Sequence, residues 1–143
     1  MNERLLRFAI AVLALAGAAV SAYLTITKLA HVDVVCPTSG CETVERSSYS
    51  KLLGVPVAMI GLFGYLAVRA TALRRGPAAA ALGAALAGAA VLFAGYLLVL
   101  QLAVIEAVCV WCVTSDAIAA LFAVAAFWRA TLVEAPRTPA AAA

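Results

Sequence analysis

Four cysteines are the residues of this chain best suited to chemistry, and they come as two pairs: Cys36-Pro37-Thr38-Ser39-Gly40-Cys41 and Cys109-Val110-Trp111-Cys112. In the second pair the sulfurs stand three residues apart, on one face of a helical turn and close enough to join. A CxxC in the first turn of a helix meets unpaired backbone N–H groups and the positive end of the helix dipole, both of which favour a thiolate. Such a sulfur is a competent nucleophile for disulfide exchange. In the first pair Pro37, Ser39 and Gly40 favour a tight reversal in a mobile loop that brings Cys36 and Cys41 together without helical geometry. Two simpler uses compete with exchange. One is a bracing disulfide, weak for the CxxC because so small a loop removes little unfolded-state entropy. The other is a four-thiolate zinc site, which an oxidising exterior opposes. Covalent haem attachment fails, since Val113 stands where a histidine is required.

The elements that must hold these sulfurs are mostly hydrocarbon. With 66% hydrophobic and 12% charged residues and a mean hydropathy of +1.08 over 143 residues, the chain has too little polar surface to cover a soluble globule. Crossing about 30 Å of hydrocarbon takes roughly 20 helical residues. Four apolar stretches qualify, at 5–30, 52–73, 78–105 and 108–131. The expected fold is an all-α membrane protein: a four-transmembrane-helix bundle with an external cysteine-bearing loop, 31–51, between helices 1 and 2. Residues 1–135 then form a single integral membrane catalytic domain, followed by a Pro/Ala-rich tail at 136–143. Arg4 and Arg7 ahead of an apolar run ending near Ala19, Ser21 and Ala22 imitate a secretion signal. The run is nearly a full span in length, which favours its retention as a helix. Gly54, Pro56, Gly61 and Gly64 in the second stretch, and Gly83, Gly88 and Gly95 in the third, suit close helix approach in lipid.

Arg4, Arg7, Arg69, Arg74, Arg75, Arg129 and Arg137, seven of the ten basic residues, fall on one side of the expected spans, which predicts that this side is cytoplasmic. The opposite side carries Lys28, Arg46 and Lys51 against Asp33, Glu42, Glu45, Glu106 and Asp116. The net charge of +3 is thus topogenic and gives no reason to invoke nucleic acid. With both termini inside, all four cysteines face an oxidising exterior where disulfides persist. Electrons moved by thiol exchange need a final acceptor. A lipid-soluble quinone can enter an apolar bundle sideways, and Cys112, the deeper sulfur of its pair, is the one expected to face it.

The ordered set of features resembles the vitamin K epoxide reductase family and its bacterial quinone-linked members. It comprises the loop pair, Ser47 six residues beyond Cys41, Gly54-Val55-Pro56 entering the second span, and a CxxC opening the fourth. The other quinone-linked disulfide-forming family carries its CxxC in the first external loop, the reverse of this order. The resemblance implies that Cys36 and Cys41 accept electrons from a periplasmic or extracytoplasmic thioredoxin-fold partner, and that Cys41 passes them on by bonding transiently to Cys109. Cys112 would then reduce a quinone, menaquinone or ubiquinone, with no metal involved, while Ser47 orders the catalytic segment. Disulfide formation in exported proteins at a bacterial cytoplasmic membrane is the implied outcome. A separate partner chain is expected, because 134–143 is too short to be a fused domain.

Asp116 stands where the animal enzymes carry a tyrosine that contacts a quinone oxygen. At i+4 from Cys112 it should face the same pocket, and an ionisable residue in a span is a functional candidate, here for proton exchange with the quinone. Its plainer role is a carboxylate reaching an aqueous cleft. Gln101 late in span three is placed either for a quinone carbonyl or for an interhelical hydrogen bond. Glu106 near the CxxC either opposes thiolate formation or accepts a proton. His31 and Tyr49 read as ordinary loop residues, and Trp111 and Trp128 as interface anchors bracketing span four. A reading of a different class also fits four cysteines in a membrane protein: a non-catalytic assembly or transport protein braced by two disulfides.

Overall fold

The computed structural model describes residues 1–134; the expected tail at 136–143 and Arg137 lie outside the described residues. Helix α1 runs Glu3–Leu29, the short α2 Gly40–Arg46, α3 Val57–Leu73, α4 Pro77–Val99 and α5 Val110–Glu134. A π-helical turn, Leu100–Ile105, extends α4, and a 3-10 turn, Ser48–Ser50, follows α2. Strands β1, Lys51–Leu52, and β2, Val55–Pro56, form a small antiparallel hairpin. Three helical segments are long and apolar enough to cross a membrane: Glu3–Leu29, Pro77–Ile105 and Val110–Glu134. α3 is a shorter apolar helix of 17 residues. The protein is thus an all-α, multi-pass membrane protein in its gross build.

Two boundaries differ from expectation for local reasons. The second apolar stretch was expected from 52, yet α3 starts at Val57. Leu53 and Gly54 both take positive φ, as a two-residue hairpin turn requires, and this folds 51–56 back on itself. Within the expected loop at 31–51, residues 40–46 are helical, so Cys41 sits on regular structure and not in a flexible segment.

α1 buries Leu6, Ile10, Ala14, Gly17, Ser21 and Leu24, a stripe at spacings of three or four residues that defines its inner face. Against this stripe lie Tyr65 and Val68 of α3 and Phe122 and Ala126 of α5. Gly17 is required by a close approach, because a Cβ there would collide with the Tyr65 ring. Tyr65 in turn meets Phe122 edge-on, with centroids 5.6 Å apart, and its hydroxyl donates to the Ser115 carbonyl at 2.6 Å. α1, α3 and α5 are thereby tied at mid-depth.

At 1.5 Å per residue α3 is only about 25 Å long, less than the hydrocarbon thickness of about 30 Å. Its final carbonyls have no partners within the helix and are costly to leave bare in a dry setting. Arginines from the neighbouring helices supply the donors. Arg7 of α1 donates to the carbonyls of Ala72 at 2.8 Å and Leu73 at 2.7 Å. Arg129 of α5, only 2% exposed, donates to Thr71 at 3.1 Å and to Arg74 at 2.8 Å, and pairs with Glu3 at 3.5 Å. An Arg129→Leu substitution leaves the Arg74 carbonyl without this donor and the Thr71 carbonyl with only the Arg74 N–H at 3.3 Å, and is expected to cost about 1–3 kcal/mol. Thermal unfolding in detergent should register a clear drop in midpoint; an unchanged midpoint would refute the capping role.

Candidate functional site

The reactive end of the bundle is built where α2 meets the start of α5. Cys36 and Cys41 are joined in a disulfide, whereas Cys109 and Cys112 are free thiols. Cys41 and Cys109 are both fully buried, and with Val44 they form one small core against which Cys36, Trp111, Cys112 and Ile105 pack. The outer and inner pairs are therefore brought to the same place. Gly40 makes this possible, because a Cβ there would overlap the backbone carbonyl of Val108. The residue ahead of Cys41 thus lies directly on the residue ahead of Cys109.

Cys109 was expected within the first turn of its helix and stands one position earlier, at the N-cap. Its carbonyl accepts from the Val113 N–H at 3.0 Å, and its sulfur accepts from the Cys112 N–H at 3.3 Å. A sulfur here does what Ser or Asp does at most N-caps, satisfying an otherwise unpaired amide. The Cys109 thiol is drawn below its ordinary pKa, chiefly by a side-chain hydrogen bond from Cys112, with burial opposing. In the reduced pair this favours Cys109 as the thiolate.

Gln101 is the third support of this segment. The π-helical turn seats it in a buried position, where its Oε1 accepts the Cys109 backbone N–H at 2.8 Å. Of its two expected roles, the hydrogen bond within the protein is formed. Glu106 ends the turn in a left-handed conformation and is exposed. Ser47 caps the far end of α2, donating through Oγ to the Val44 carbonyl at 2.7 Å. His31 is exposed, as is Tyr49.

Beneath the sulfurs lies an apolar cavity of about 310 Å³, bounded by α1, α3, α4 and α5 and reached by Val44 and Glu45 of α2. Cys112, Gln101, Ser115 and Asp116 supply polar atoms to its wall; Ile60, Phe93, Leu97 and Phe122 are among its apolar lining. The volume falls within the range of small-molecule sites. Asp116 Oδ2 is buried and accepts no hydrogen bond from the protein. A second, polar cavity of about 490 Å³ lies alongside, and Lys28, Glu45, Ser47 and Ser50 line both. Lys28 and Glu45 form an ion pair at 3.6 Å, with 19% and 16% of their side chains exposed. Lys28 also donates to the Glu45 carbonyl and to Ser50 Oγ. Burial pushes the Glu45 carboxyl upward, and Lys28 partly offsets it. Among the described residues no group of three or more His, Cys, Asp or Glu is placed to hold a metal ion.

Several residues of this site had no signal in the sequence. Trp111 is more than an interface anchor, since its indole N–H donates to the Val35 carbonyl at 2.8 Å and its ring meets Tyr23 at 5.3 Å. Tyr23, Lys28 and Glu45 were likewise unremarkable in the linear pattern. Gly40, read from the sequence as part of a tight reversal, instead marks a close approach to the Val108 backbone.

A buried junction of two cysteine pairs at the mouth of an apolar cavity defines a thiol–disulfide centre built into a helical membrane protein. The chain belongs to the vitamin K epoxide reductase family, whose family model matches residues 8–127. That stretch contains all four cysteines together with Ser47 and Gly54-Val55-Pro56, so the resemblance read from their order holds. Membership points to membrane oxidoreductase chemistry at thiols.

The seat of α2 on Val108 is directly testable. Gly40→Ala must push the two backbones apart and should reduce, roughly tenfold, the rate at which Cys41 and Cys109 can be cross-linked by mild oxidation in a Cys36→Ser, Cys112→Ser background, a loss of about 1.4 kcal/mol in positioning. Cross-linking at the parental rate would show that the close approach does not set this contact.

Proposed function

We propose that the protein is a quinone-linked thiol oxidase, a four-span bundle of a bacterial cytoplasmic membrane with both termini inside and its cysteines on the external face. It takes electrons from a thioredoxin-fold dithiol partner through Cys36/Cys41 to Cys109/Cys112 and then to a quinone, supporting disulfide formation in exported proteins. The observation that carries this reading is the burial of Cys41 beside Cys109, with Cys112 on the wall of an apolar cavity. A purely bracing role for both pairs gives no reason for Cys112 to line an apolar cavity.

The electron balance is simple. A partner thiolate attacks the outer disulfide at Cys36, the less buried sulfur, and its second thiol closes the partner's own disulfide, leaving Cys36 and Cys41 reduced. Cys41 then attacks Cys109 of the oxidised inner pair, releasing Cys112 as a thiolate. Attack of Cys36 on Cys41 restores the outer disulfide and frees Cys109. Two electrons and two protons then pass from Cys109 and Cys112 to the quinone, giving a quinol and an inner disulfide.

The cavity wall suits a quinone substrate. Gln101 gives its carbonyl to Cys109, which leaves its NH2 group as a donor for a quinone oxygen. Asp116 brings a carboxyl oxygen with no protein partner, suited to exchange a proton with the same substrate. Ser47, fixing the end of α2, orders the segment that covers the cavity.

Purified protein supplied with a reduced thioredoxin-fold donor should reduce menaquinone or ubiquinone, followed by absorbance. Cys112→Ser should abolish this turnover and accumulate a Cys41–Cys109 bond, formed when the Cys109 thiolate attacks Cys41 of the closed outer disulfide and releases Cys36, and identified by peptide mass mapping. Absence of both quinone reduction and the trapped bond would overturn the proposal. For Asp116, replacement by Asn is expected to slow quinone reduction by roughly a hundredfold and to flatten its pH dependence. A wild-type rate and profile in Asp116→Asn would remove the proton-transfer role.

A further inference from the structure

The segment between α1 and α2 lacks regular secondary structure from Val32 to Cys36, yet one residue in it is held at both its backbone N–H and its carbonyl. The Val35 N–H donates to Tyr23 Oη at 3.0 Å, and the Val35 carbonyl accepts from Trp111 Nε1 at 2.8 Å. The two rings that make these bonds lie against each other, 5.3 Å between centroids and tilted by 55°. Tyr23 belongs to α1; Trp111 belongs to α5 and lies between Cys109 and Cys112. Val35 is the residue immediately before Cys36.

We propose that Tyr23 and Trp111 are positioning residues that grip the Val35 backbone on both sides of its Cα, hold Cys36 in place when the outer disulfide is open, and so leave Cys41 as the outer sulfur that bonds Cys109. The proposal deepens the relay reading above and rests on it. Its physical basis is the difference in how the two outer cysteines are held. Cys41 is on a helix and fully buried beside Cys109. Cys36 is in an irregular segment and partly exposed, so once its bond to Cys41 opens, only neighbouring contacts restrain it. With Val35 fixed, the Cys36 Cα stays about 3.8 Å from an anchored Cα. Little is left to move except its own torsions. That keeps Cys36 near Cys41 for reclosure, keeps it available to an incoming thiol, and denies it the freedom to compete for Cys109.

The choice of Trp111 as one jaw has a further consequence. Because this side chain sits inside the CxxC turn, the arm is referenced to the inner pair itself and not to a distant wall. An ordinary interfacial tryptophan needs no partner inside the protein, whereas this indole N–H is committed to a loop carbonyl. Both bonds are neutral, so each contributes on the scale of one ordinary hydrogen bond.

The test uses Tyr23→Phe and Trp111→Phe, each of which keeps an aromatic ring and removes one hydrogen-bonding group. In the full-length Cys112→Ser protein with its outer disulfide closed, the Cys109 thiolate attacks one outer sulfur and releases the other as a thiolate; after an acid quench, peptide mass mapping gives the ratio of Cys36–Cys109 to Cys41–Cys109 bonds. Either substitution should raise that ratio by roughly fivefold to tenfold. In a reduced Cys41→Ser background, maleimide labelling of Cys36 should accelerate by a similar factor, a readout that needs no relay at all. Unchanged ratio and unchanged labelling in both variants overturn the grip while leaving the relay intact. A parent protein that traps no Cys41–Cys109 bond overturns the relay instead, and the labelling experiment then judges the grip alone.

Discussion

The contact between the backbones of Gly40 and Val108 is the constraint on which the rest of this protein depends. Two chain segments that are far apart in sequence touch there without an intervening side chain, and the next residue of each is a buried cysteine. Disulfide exchange needs an attacking sulfur close to the bond it attacks, so a separation of even a few ångströms would leave the pairs unconnected. Everything else at this end of the bundle serves to hold that junction. Gln101 fixes the Cys109 amide from α4's π-helical turn, and Ser47 finishes α2. The cap formed by the Cys109 sulfur ties the junction to the first turn of α5.

The opposite end is built on a different principle. There, buried Arg129 and half-buried Arg7 replace close backbone contact, each reaching across to carbonyls at the end of the short helix α3. A guanidinium offers five donors in a planar fork, and so can close several bare carbonyls at once. The sequence pattern assigned these arginines to topology alone. Arg7 and Arg129 do more than mark a side of the membrane, because α3 is too short to carry its own last turn into an aqueous setting without them. Glu3, one of the few acidic residues at that end, offsets part of the charge that Arg129 brings inside.

What could be read from the linear pattern was set by periodicity and by rare residues. Long apolar runs announce membrane helices, and four cysteines in a given order, with Ser47 and the Gly54-Val55-Pro56 turn, announce a family. Helix ends were less legible. Leu53 has no compositional reason to adopt positive φ, and the hairpin around it shortens α3 through pairing that hydropathy does not register. The π-helical turn is equally hidden, since one extra residue in a hydrogen-bonded ring leaves Leu100 to Ile105 as apolar as before. Side chains that act through polar contacts across the bundle were the least visible. Tyr23 and Trp111 look like membrane-interface aromatics, and Lys28 and Glu45 like surface charges, until the fold places them together.

Lys28 and Glu45 show how the wall between the two cavities and the position of Cys41 are parts of one problem. A helix of seven residues has no independent stability in water, because nucleation is costly and few hydrogen bonds follow it. α2 therefore takes its place from its attachments. Gly40 binds its start to α5, and Lys28 binds its end to α1 through the carboxylate and carbonyl of Glu45. Glu45 lies one turn beyond Cys41, so the ion pair that ties down the helix also separates the apolar cavity from the polar one beside it. Half-burying two charges costs free energy unless each finds its partner, and Lys28 meets that condition with three oxygen atoms. An apolar pair in the same place would also close the wall, but would offer no directional bonds to fix the rotation of α2. The register of Cys41 toward Cys109 depends on that rotation, which gives a polar solution an advantage over a greasy one at this point of the fold.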